Sequence, residues 1–137
     1  MIPGHPRVLA KMLTPRRFTD TGYAAAIAGD LYGGTARLGG EASRESSENR
    51  CTRSRIGYLH QLLAGAMWTS LPVLPLIRQP TLIVAGTDDP IIPIANAHIM
   101  NALLPHATLH LHLGGHLDIV TNAADLAPAV SSFLAAP

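Results

Sequence analysis

The sequence predicts an α/β protein, and three observations lead to that class. Residues 80–137 alternate between short apolar runs with strand character and stretches with helical spacing, in the order strand, helix, strand, helix. Such alternation is typical of a parallel sheet whose strands are joined by crossover helices. Residues 1–79 contain helical segments only, interrupted by a polar stretch at 39–55. We therefore expect a helical region over 1–79 and a β-α-β-α unit over 80–137.

Composition narrows the class of protein further. The 137 residues are 47% hydrophobic and 14% charged, which is too apolar for a disordered chain. The net charge of +1 gives no reason to expect nucleic acid or an anionic membrane surface as a partner. No apolar run reaches the roughly 18 residues of a transmembrane segment, and prolines interrupt the N-terminus where a signal peptide would need an apolar core. The single cysteine, Cys51, has no internal disulfide partner. We expect a soluble, intracellular protein.

The first half of the chain contains two predicted helices before the polar stretch. The first is "PRVLAKML" at 6–13. The second runs through "DTGYAAAIAGDLYGG", with Asp20 or Thr21 as the N-cap and the pair Gly33-Gly34 as the stop signal. The stretch 39–55 holds seven of the nineteen charged residues and no large apolar side chain, so it is interpreted as an exposed connection.

A third helix and a linker complete the helical region. The linker is "TSLPVLPLIRQP", because its three prolines remove backbone donors that a helix or sheet would need. The helix is "IGYLHQLLAGAMW", whose apolar side chains recur every three or four residues and predict a buried stripe. That stripe consists of Ile56, Leu59, Leu63 and Met67.

The second half begins with the first predicted strand. "TLIVAG" is a continuous apolar run, as expected of a strand buried on both faces of a parallel sheet. "IANAHIMNALL" is a helix that Pro105 stops, and "ATLHLHLG" is the second strand, with leucines on one face and His110 and His112 on the other. The final helix contains Pro128, which we expect in or near its first turn.

Acid–base side chains lie in the two turns that follow the predicted strands. Asp89 lies in "GTDDP" after the first strand, and His116 lies in "GGH" after the second. Ligands of open α/β sheets bind outside the carboxyl ends of the strands, and adjacent parallel strands place such turns side by side. A carboxylate beside an imidazole fixes the tautomer of the ring and stabilises the imidazolium formed when the ring takes a proton from a nucleophile.

The chain resembles the C-terminal half of an α/β-hydrolase. "QPTLIVAGTDDPIIP" and "GGHLDIVT" look like the last two strand-end turns of that fold, and acid followed by histidine is the order of its triad. More narrowly, "IAGDLYGG" and residues 57–105 are similar to intracellular polyhydroxyalkanoate depolymerases. The resemblance implies a partial α/β-hydrolase fold, in which 1–79 correspond to the cap and 80–137 to the end of the core. It assigns the catalytic acid to Asp89, three residues after Gly86, and the base to His116, with no cofactor and no metal.

The nucleophile of that family has no counterpart in this sequence. The family serine stands in a G-x-S-x-G elbow, and none of the seven serines here, at 43, 46, 47, 54, 70, 131 and 132, has that setting. The glycine-rich turn that supplies an oxyanion-hole amide is missing as well. Loss of a triad nucleophile typically costs about 10⁴-fold or more in rate. The resemblance therefore implies a truncated ester hydrolase, with an ester or polyester substrate, that is inactive by itself.

Two other functional classes and a location remain as expectations. The chain could be a half-enzyme completed in trans by an N-terminal polypeptide, or a non-catalytic module that binds polyester granules or lipid. The open edge of a two-stranded sheet favours self-association and marginal stability. The resemblance implies a cytoplasmic, granule-associated location.

Several other side chains have competing interpretations. The pair His110 and His112 could bind zinc, although a third ligand on that face is not evident. Cys51 has no histidine next to it and is not expected to be a nucleophile. Asp88 is interpreted as a solvated neighbour of Asp89. Side chains expected to pack within the cap, rather than line an acyl channel, are Tyr58, Leu62 and Trp68.

Overall fold

The computed structural model describes residues 2–38 and 55–136. Within these ranges, two parallel strands form the sheet and helices surround it. The predicted polar connection at 39–55, except for its last residue, lies outside the described residues, and so does Cys51. No helix in the described ranges is long and apolar enough to cross a membrane.

The N-terminal helices lie where the sequence predicts them, but the second predicted helix is divided in two. The capping residue is Asp20, whose carboxylate accepts a hydrogen bond from the Tyr23 N–H at 2.8 Å. The predicted second helix is broken at Ile27 and stops at Gly33, which has a positive φ of 63°. The elements are α1 (Pro6–Leu13), a 3₁₀ turn (Pro15–Phe18), α2 (Thr21–Ala26), α3 (Ala28–Tyr32) and a 3₁₀ turn (Gly34–Leu38).

Helix α4 (Arg55–Met67) forms where predicted, but the prediction of a buried stripe is wrong. Ile56, Leu59 and Leu63 are 68%, 47% and 52% exposed, because no described element covers that face of the helix. Trp68 is also exposed, so it does not pack within the helical region. Instead, Tyr58 contacts the rest of the chain, with its ring edge-on to Phe18 at a centroid distance of 5.0 Å.

The proline-rich segment after α4 is more regular than predicted. A 3₁₀ turn (Leu71–Leu76) forms within it, and Leu74 is buried against the sheet. A 3₁₀ turn tolerates these prolines because its hydrogen bonds are few. The segment is therefore part of the core packing as well as a connection.

The second half forms the predicted strand–helix–strand unit. Strands β1 (Thr81–Gly86) and β2 (Ala107–His112) pair in parallel, with Ile83 opposite Leu109 and Gly86 opposite His112. Helix α5 (Ala95–Leu103) is the crossover and ends before Pro105. The prediction that β1 is buried on both faces is wrong: only Ile83 and Gly86 are fully buried in it, because the sheet has two strands in the described ranges.

Two helices follow β2, namely the short α6 (Asp118–Thr121) and the thirteen-residue α7 (Ala123–Ala135). Pro128 is the sixth residue of α7 and lies inside the helix, so the prediction that it lies in or near the first turn is wrong. The helix begins five residues earlier than the proline suggests, at a position set by the turn after α6. Because Pro128 has no N–H, the Ala124 carbonyl lacks the hydrogen-bond donor that it would have in a regular helix.

In the part of the chain that the structure describes, the core consists of two clusters. One joins the N-terminal helices through residues such as Leu31, Tyr32 and Ala36. The other joins β1, α5 and the 3₁₀ turn at 71–76 through Ile83, Ala97 and other apolar side chains. The turns that end the two strands lie next to the first cluster, since Ile91 and Leu117 pack against it. The N-terminal helices therefore contact the edge of the sheet at which the predicted site lies.

Candidate active site

The structure brings Asp89 and His116 into direct contact. Asp89 lies in the turn after β1 and His116 in the turn after β2, because the strands are parallel neighbours. The distance from Asp89 Oδ2 to His116 Nδ1 is 2.9 Å. The Asp89 side chain is 11% exposed and the His116 side chain 37% exposed. The carboxylate is thus sheltered while the ring still reaches solvent.

The Asp89 carboxylate is held from its other side by the backbone. Its Oδ1 accepts hydrogen bonds from the Ile91 N–H at 2.8 Å and the Ile92 N–H at 2.9 Å. These donors fix the orientation of the carboxylate, so Oδ2 faces the imidazole. A carboxylate only accepts hydrogen bonds, and therefore His116 Nδ1 carries the proton in this pair. Within the described residues, no hydrogen bond reaches His116 Nε2, which is left with a free lone pair.

The His116 backbone is anchored to the end of α3. Its N–H donates to the Tyr32 carbonyl at 2.7 Å, and the two rings are stacked at a centroid distance of 6.4 Å. Such a close approach requires glycine at the preceding position. A Cβ on Gly115 would lie 2.1 Å from the Tyr32 carbonyl oxygen, far inside van der Waals contact.

A cavity of about 250 Å³ opens beside the pair. Asp89 and His116 contribute to its wall, together with the carboxyl end of β1. The remaining wall is formed by Ile92, Ala97 and Ile119, together with His112 and Gly115. A largely apolar cavity with a few polar groups is the usual form of a small-molecule site.

Asp88 is a solvated neighbour of Asp89, as predicted, since its side chain is 46% exposed, but it also forms contacts that the sequence did not indicate. Its carboxylate forms a bidentate ion pair with Arg37, at 2.7 Å from Nε and 2.9 Å from Nη2, and it also accepts from the Gly34 N–H at 2.8 Å. The Arg37 guanidinium and the Gly34 N–H hold the pKa of Asp88 below its ordinary value. The interaction joins residues 51 positions apart, so spacing in the sequence gave no indication of it.

Asp118 is a buried residue of this site that sequence reasoning missed. It is 1% exposed and accepts hydrogen bonds from the Gly115 N–H at 3.0 Å and the Thr35 hydroxyl at 2.6 Å. Burial raises the pKa of Asp118, but the hydrogen bonds from Thr35, Gly115 and Thr121 outweigh burial and hold it below its ordinary value. A carboxylate between apolar neighbours in "HLDIV" was the available sequence signal, because aspartate is rarely buried without partners.

The alternative metal site receives no support in the described ranges. His110 and His112 lie on β2, as predicted, and both are half-buried, but no group of three His, Cys, Asp or Glu side chains in the described ranges could hold a metal ion. No serine in the described part of the chain is hydrogen-bonded to His116. The described serines are Ser70, Ser131 and Ser132, and the other four lie outside the described residues.

Residues 15–123 match the family model of the alpha/beta hydrolase fold. The chain is 40% identical over 134 residues to a poly(3-hydroxyalkanoate) depolymerase of Ectopseudomonas oleovorans, an alignment that covers 98% of this chain and 47% of that protein. It is 36% identical over 63 residues to a pimeloyl-[acyl-carrier protein] methyl ester esterase of Xanthomonas oryzae pv. oryzae, covering 45% of this chain and 25% of that protein. The chain thus spans at most about half the length of these two relatives.

Solved structures show the same fold. An enol-lactonase from Burkholderia xenovorans superposes with a TM-score of 0.75 at 18% identity, covering 98% of this chain and 52% of that one. A hydrolase from Pseudomonas aeruginosa superposes with a TM-score of 0.72 at 23% identity, covering 95% and 48%. With a family model that matches most of the chain, and with these structures sharing its architecture, the chain belongs to the α/β-hydrolase fold family.

Proposed function

We propose that this chain supplies the acid and the base of a carboxylic-ester hydrolase, with Asp89 as the acid and His116 as the base. The observation that carries the proposal is the 2.9 Å contact between Asp89 Oδ2 and His116 Nδ1 at the carboxyl ends of the two strands. The contact fixes the tautomer that a general base needs, with the proton on Nδ1 and the lone pair on Nε2. The adjacent apolar cavity would take the acyl group.

The proposed reaction uses these two side chains in sequence. His116 Nε2 takes the proton from a serine hydroxyl as that oxygen attacks the ester carbonyl, and the ring then gives the proton to the leaving alcohol. A water molecule hydrolyses the acyl-enzyme with the same ring as base. Asp89 remains ionised throughout and stabilises the imidazolium, while the Ile91 and Ile92 N–H groups hold the carboxylate in place.

The serine and the oxyanion-hole donors of this proposal come from outside the 137 residues. None of the seven serines stands in a G-x-S-x-G setting, and the described serines make no hydrogen bond to His116. The source is either another part of a longer polypeptide or a separate chain that completes the site in trans. The chain by itself is proposed to be inactive.

The substrate class proposed is a polyhydroxyalkanoate or a related aliphatic ester. Support comes from the 40% identity that extends over 98% of this chain. In this proposal residues 1–79 act as a cap that shapes the acyl pocket, and residues 80–137 are the end of the hydrolase core. Such an enzyme would work in the cytoplasm at the surface of polyester granules.

Intact mass after exposure to a fluorophosphonate serine-hydrolase probe tests the proposal. We expect no adduct on the soluble chain, and no turnover of a medium-chain nitrophenyl ester. Both should appear when the chain is co-expressed with the part of the Ectopseudomonas oleovorans relative that lies outside the aligned 47%, with the adduct on that partner.

The control for this experiment separates catalysis from folding. His116→Ala and Asp89→Asn should abolish turnover in the complemented enzyme, whereas His98→Ala, at an exposed position of α5, should leave it unchanged. A stoichiometric adduct on the chain alone that is lost in His116→Ala would show that one of its own serines is the nucleophile, and the proposal of an outside nucleophile would then be wrong.

A further inference from the structure

Residues 32–37, at the end of α3 and in the following 3₁₀ turn, lie between the two turns that carry Asp89 and His116. On one side, Asp88 binds Arg37 and the Gly34 N–H. On the other side, Asp118 binds Thr35 through both the hydroxyl and the backbone N–H. Each of these two carboxylates lies within two residues of a member of the proposed acid–base pair.

We propose that Asp118 is a positioning residue for His116, which acts by tying the turn at 114–116 to Thr35. The inference rests on the proposed function of His116 as a base, and it adds a residue that the acid–base pair does not include. Asp118 does not contact Asp89 or the ring. It acts through the backbone N–H of Gly115, which precedes His116, and through Thr35.

The Asp118 carboxylate lies between the turn at 114–116 and residues 32–37 and binds both. Asp118 Oδ2 accepts from the Gly115 N–H at 3.0 Å, and Oδ1 accepts from the Thr35 hydroxyl at 2.6 Å. Gly115 directly precedes His116, and the His116 N–H donates to the Tyr32 carbonyl at 2.7 Å. Both peptide N–H groups at the base of the imidazole are therefore held, one by Asp118 and one by the segment that Asp118 binds.

The burial of Asp118 makes the hydrogen bonds to both of its carboxylate oxygens important. The residue is 1% exposed, and no cationic side chain in the described ranges lies within ion-pair distance of it. A buried carboxylate without a cation is costly unless its oxygens accept hydrogen bonds. Here each oxygen faces a backbone N–H, that of Gly115 on Oδ2 and that of Thr35 on Oδ1.

This arrangement distinguishes aspartate from asparagine. In an Asp118→Asn variant the amide NH₂ would face a backbone N–H in either orientation of the side chain, because both positions need an acceptor. One donor would remain unpaired in a buried site, which favours movement of the turn. Movement of the 114–116 backbone would displace the His116 ring from Asp89 Oδ2.

The tautomer of His116 reports this displacement without any requirement for catalysis. With Nδ1 hydrogen-bonded to Asp89, the neutral ring should be in the Nδ1–H form, whereas a histidine free in water favours the Nε2–H form. Long-range ¹H–¹⁵N correlation through the carbon-bound ring protons distinguishes the two. It is measured on the ¹⁵N-labelled chain at a pH where the ring is neutral.

The expected result is a dominant Nδ1–H tautomer in the wild type and its loss in Asp118→Asn. Thr35→Val, at an exposed position, should have the same effect in a chain that still folds, because it removes the hydroxyl contacts to Asp118 and Thr121. Thr35→Ser keeps the hydroxyl and should keep the wild-type tautomer. Asp125→Asn, a charge-matched change at an exposed position of α7, should also leave the ring unchanged.

Two outcomes would overturn the inference. A dominant Nδ1–H tautomer in both folded Asp118→Asn and folded Thr35→Val would show that the ring is positioned without Asp118. A wild-type ring already in the Nε2–H form would contradict the Asp89 contact and the positioning role together. Failure of the esterase experiment alone would leave the tautomer result intact, since the tautomer depends only on contacts within this chain.

Discussion

Single glycines decide how closely residues 32–37 approach the strand-end turns. Gly34 has a φ of 49°, and a Cβ at this position would lie 2.2 Å from the Gly115 nitrogen and 2.5 Å from Asp118 Oδ2. Both the left-handed backbone and the close approach exclude other side chains. The sequence predicts a helix stop here, but the packing role of the glycine follows from contacts with a segment about eighty residues away.

We expect Gly34→Ala to lower the free energy of unfolding by about 2 kcal/mol or more, because it combines positive-φ strain with a backbone clash. Urea denaturation followed by circular dichroism measures the change. Gly65→Ala is the matched control, because a Cβ there meets nothing within 4 Å and the position lies inside α4. That control should raise stability by about 0.5–1 kcal/mol, and a loss of stability equal to that of Gly34→Ala would contradict the explanation.

The two buried or paired carboxylates next to the site predict a dependence of stability on pH. The pKa of Asp88, through Arg37, and the pKa of Asp118, through its hydrogen bonds, lie below the ordinary value of 3.8. A group with a lower pKa in the folded state binds fewer protons when folded, so its contribution is complete above the ordinary value. The contribution is lost as the pH falls through the lower, folded-state pKa.

We therefore expect the free energy of unfolding to decrease as the pH falls below about 4. Urea titrations at a series of pH values measure this slope. In Asp88→Asn the slope should be shallower, because one of the carboxylates with a lowered pKa no longer titrates. Asp20 and Asp30, whose pKa values are also lowered, contribute equally in both proteins. Asp125→Asn should retain the wild-type slope, since in the described part of the chain its carboxylate has no ion pair or hydrogen bond. An unchanged slope in Asp88→Asn would count against this account.

At the scale of elements, α7 contains a proline at a position where proline destabilises a helix. Pro128 is exposed and lies at the sixth position of a thirteen-residue helix. It removes a hydrogen bond to the Ala124 carbonyl and crowds the preceding turn. The helix is maintained by its packing, with Leu126 buried, so tertiary contacts override the local preference.

Pro128→Ala should raise the free energy of unfolding by at least about 1 kcal/mol. The gain from a restored hydrogen bond exceeds the loss of rigidity in the unfolded chain. Differential scanning calorimetry measures the shift of the melting temperature. Pro105→Ala is the control, since that residue follows α5 and occupies no helical position, so no gain is expected. A higher melting temperature for Pro105→Ala alone would show that the helix is not the cause.

At the scale of the whole molecule, large apolar side chains remain uncovered in the described ranges. Leu59 and Leu63 are 47% and 52% exposed on one face of α4, and among the described residues each strand of the sheet pairs on one side only. Exposed apolar patches and unpaired strand edges favour association. We therefore expect the isolated chain to self-associate.

Sedimentation velocity over a range of concentrations tests this expectation. The double variant Leu59→Glu/Leu63→Glu should shift the distribution toward monomer, because it places charge on the uncovered face. Gln61→Glu adds a charge to α4 at an exposed polar position and should have a smaller effect. A wild-type chain that sediments as a monomer with a sharp, cooperative melt would overturn the expectation.

The sequence alone was enough to predict β1, the crossover helix and β2, as well as the meeting of Asp89 with His116. Strand and helix periodicity are local properties, and parallel neighbouring strands must place their carboxyl ends together. The tertiary structure decided the rest: the burial of Asp118, the pairing of Asp88 and the exposure of α4. These depend on contacts between residues fifty or more positions apart, or on whether an apolar face finds a covering element. Periodicity identifies an apolar face, but the rest of the fold determines what that face packs against.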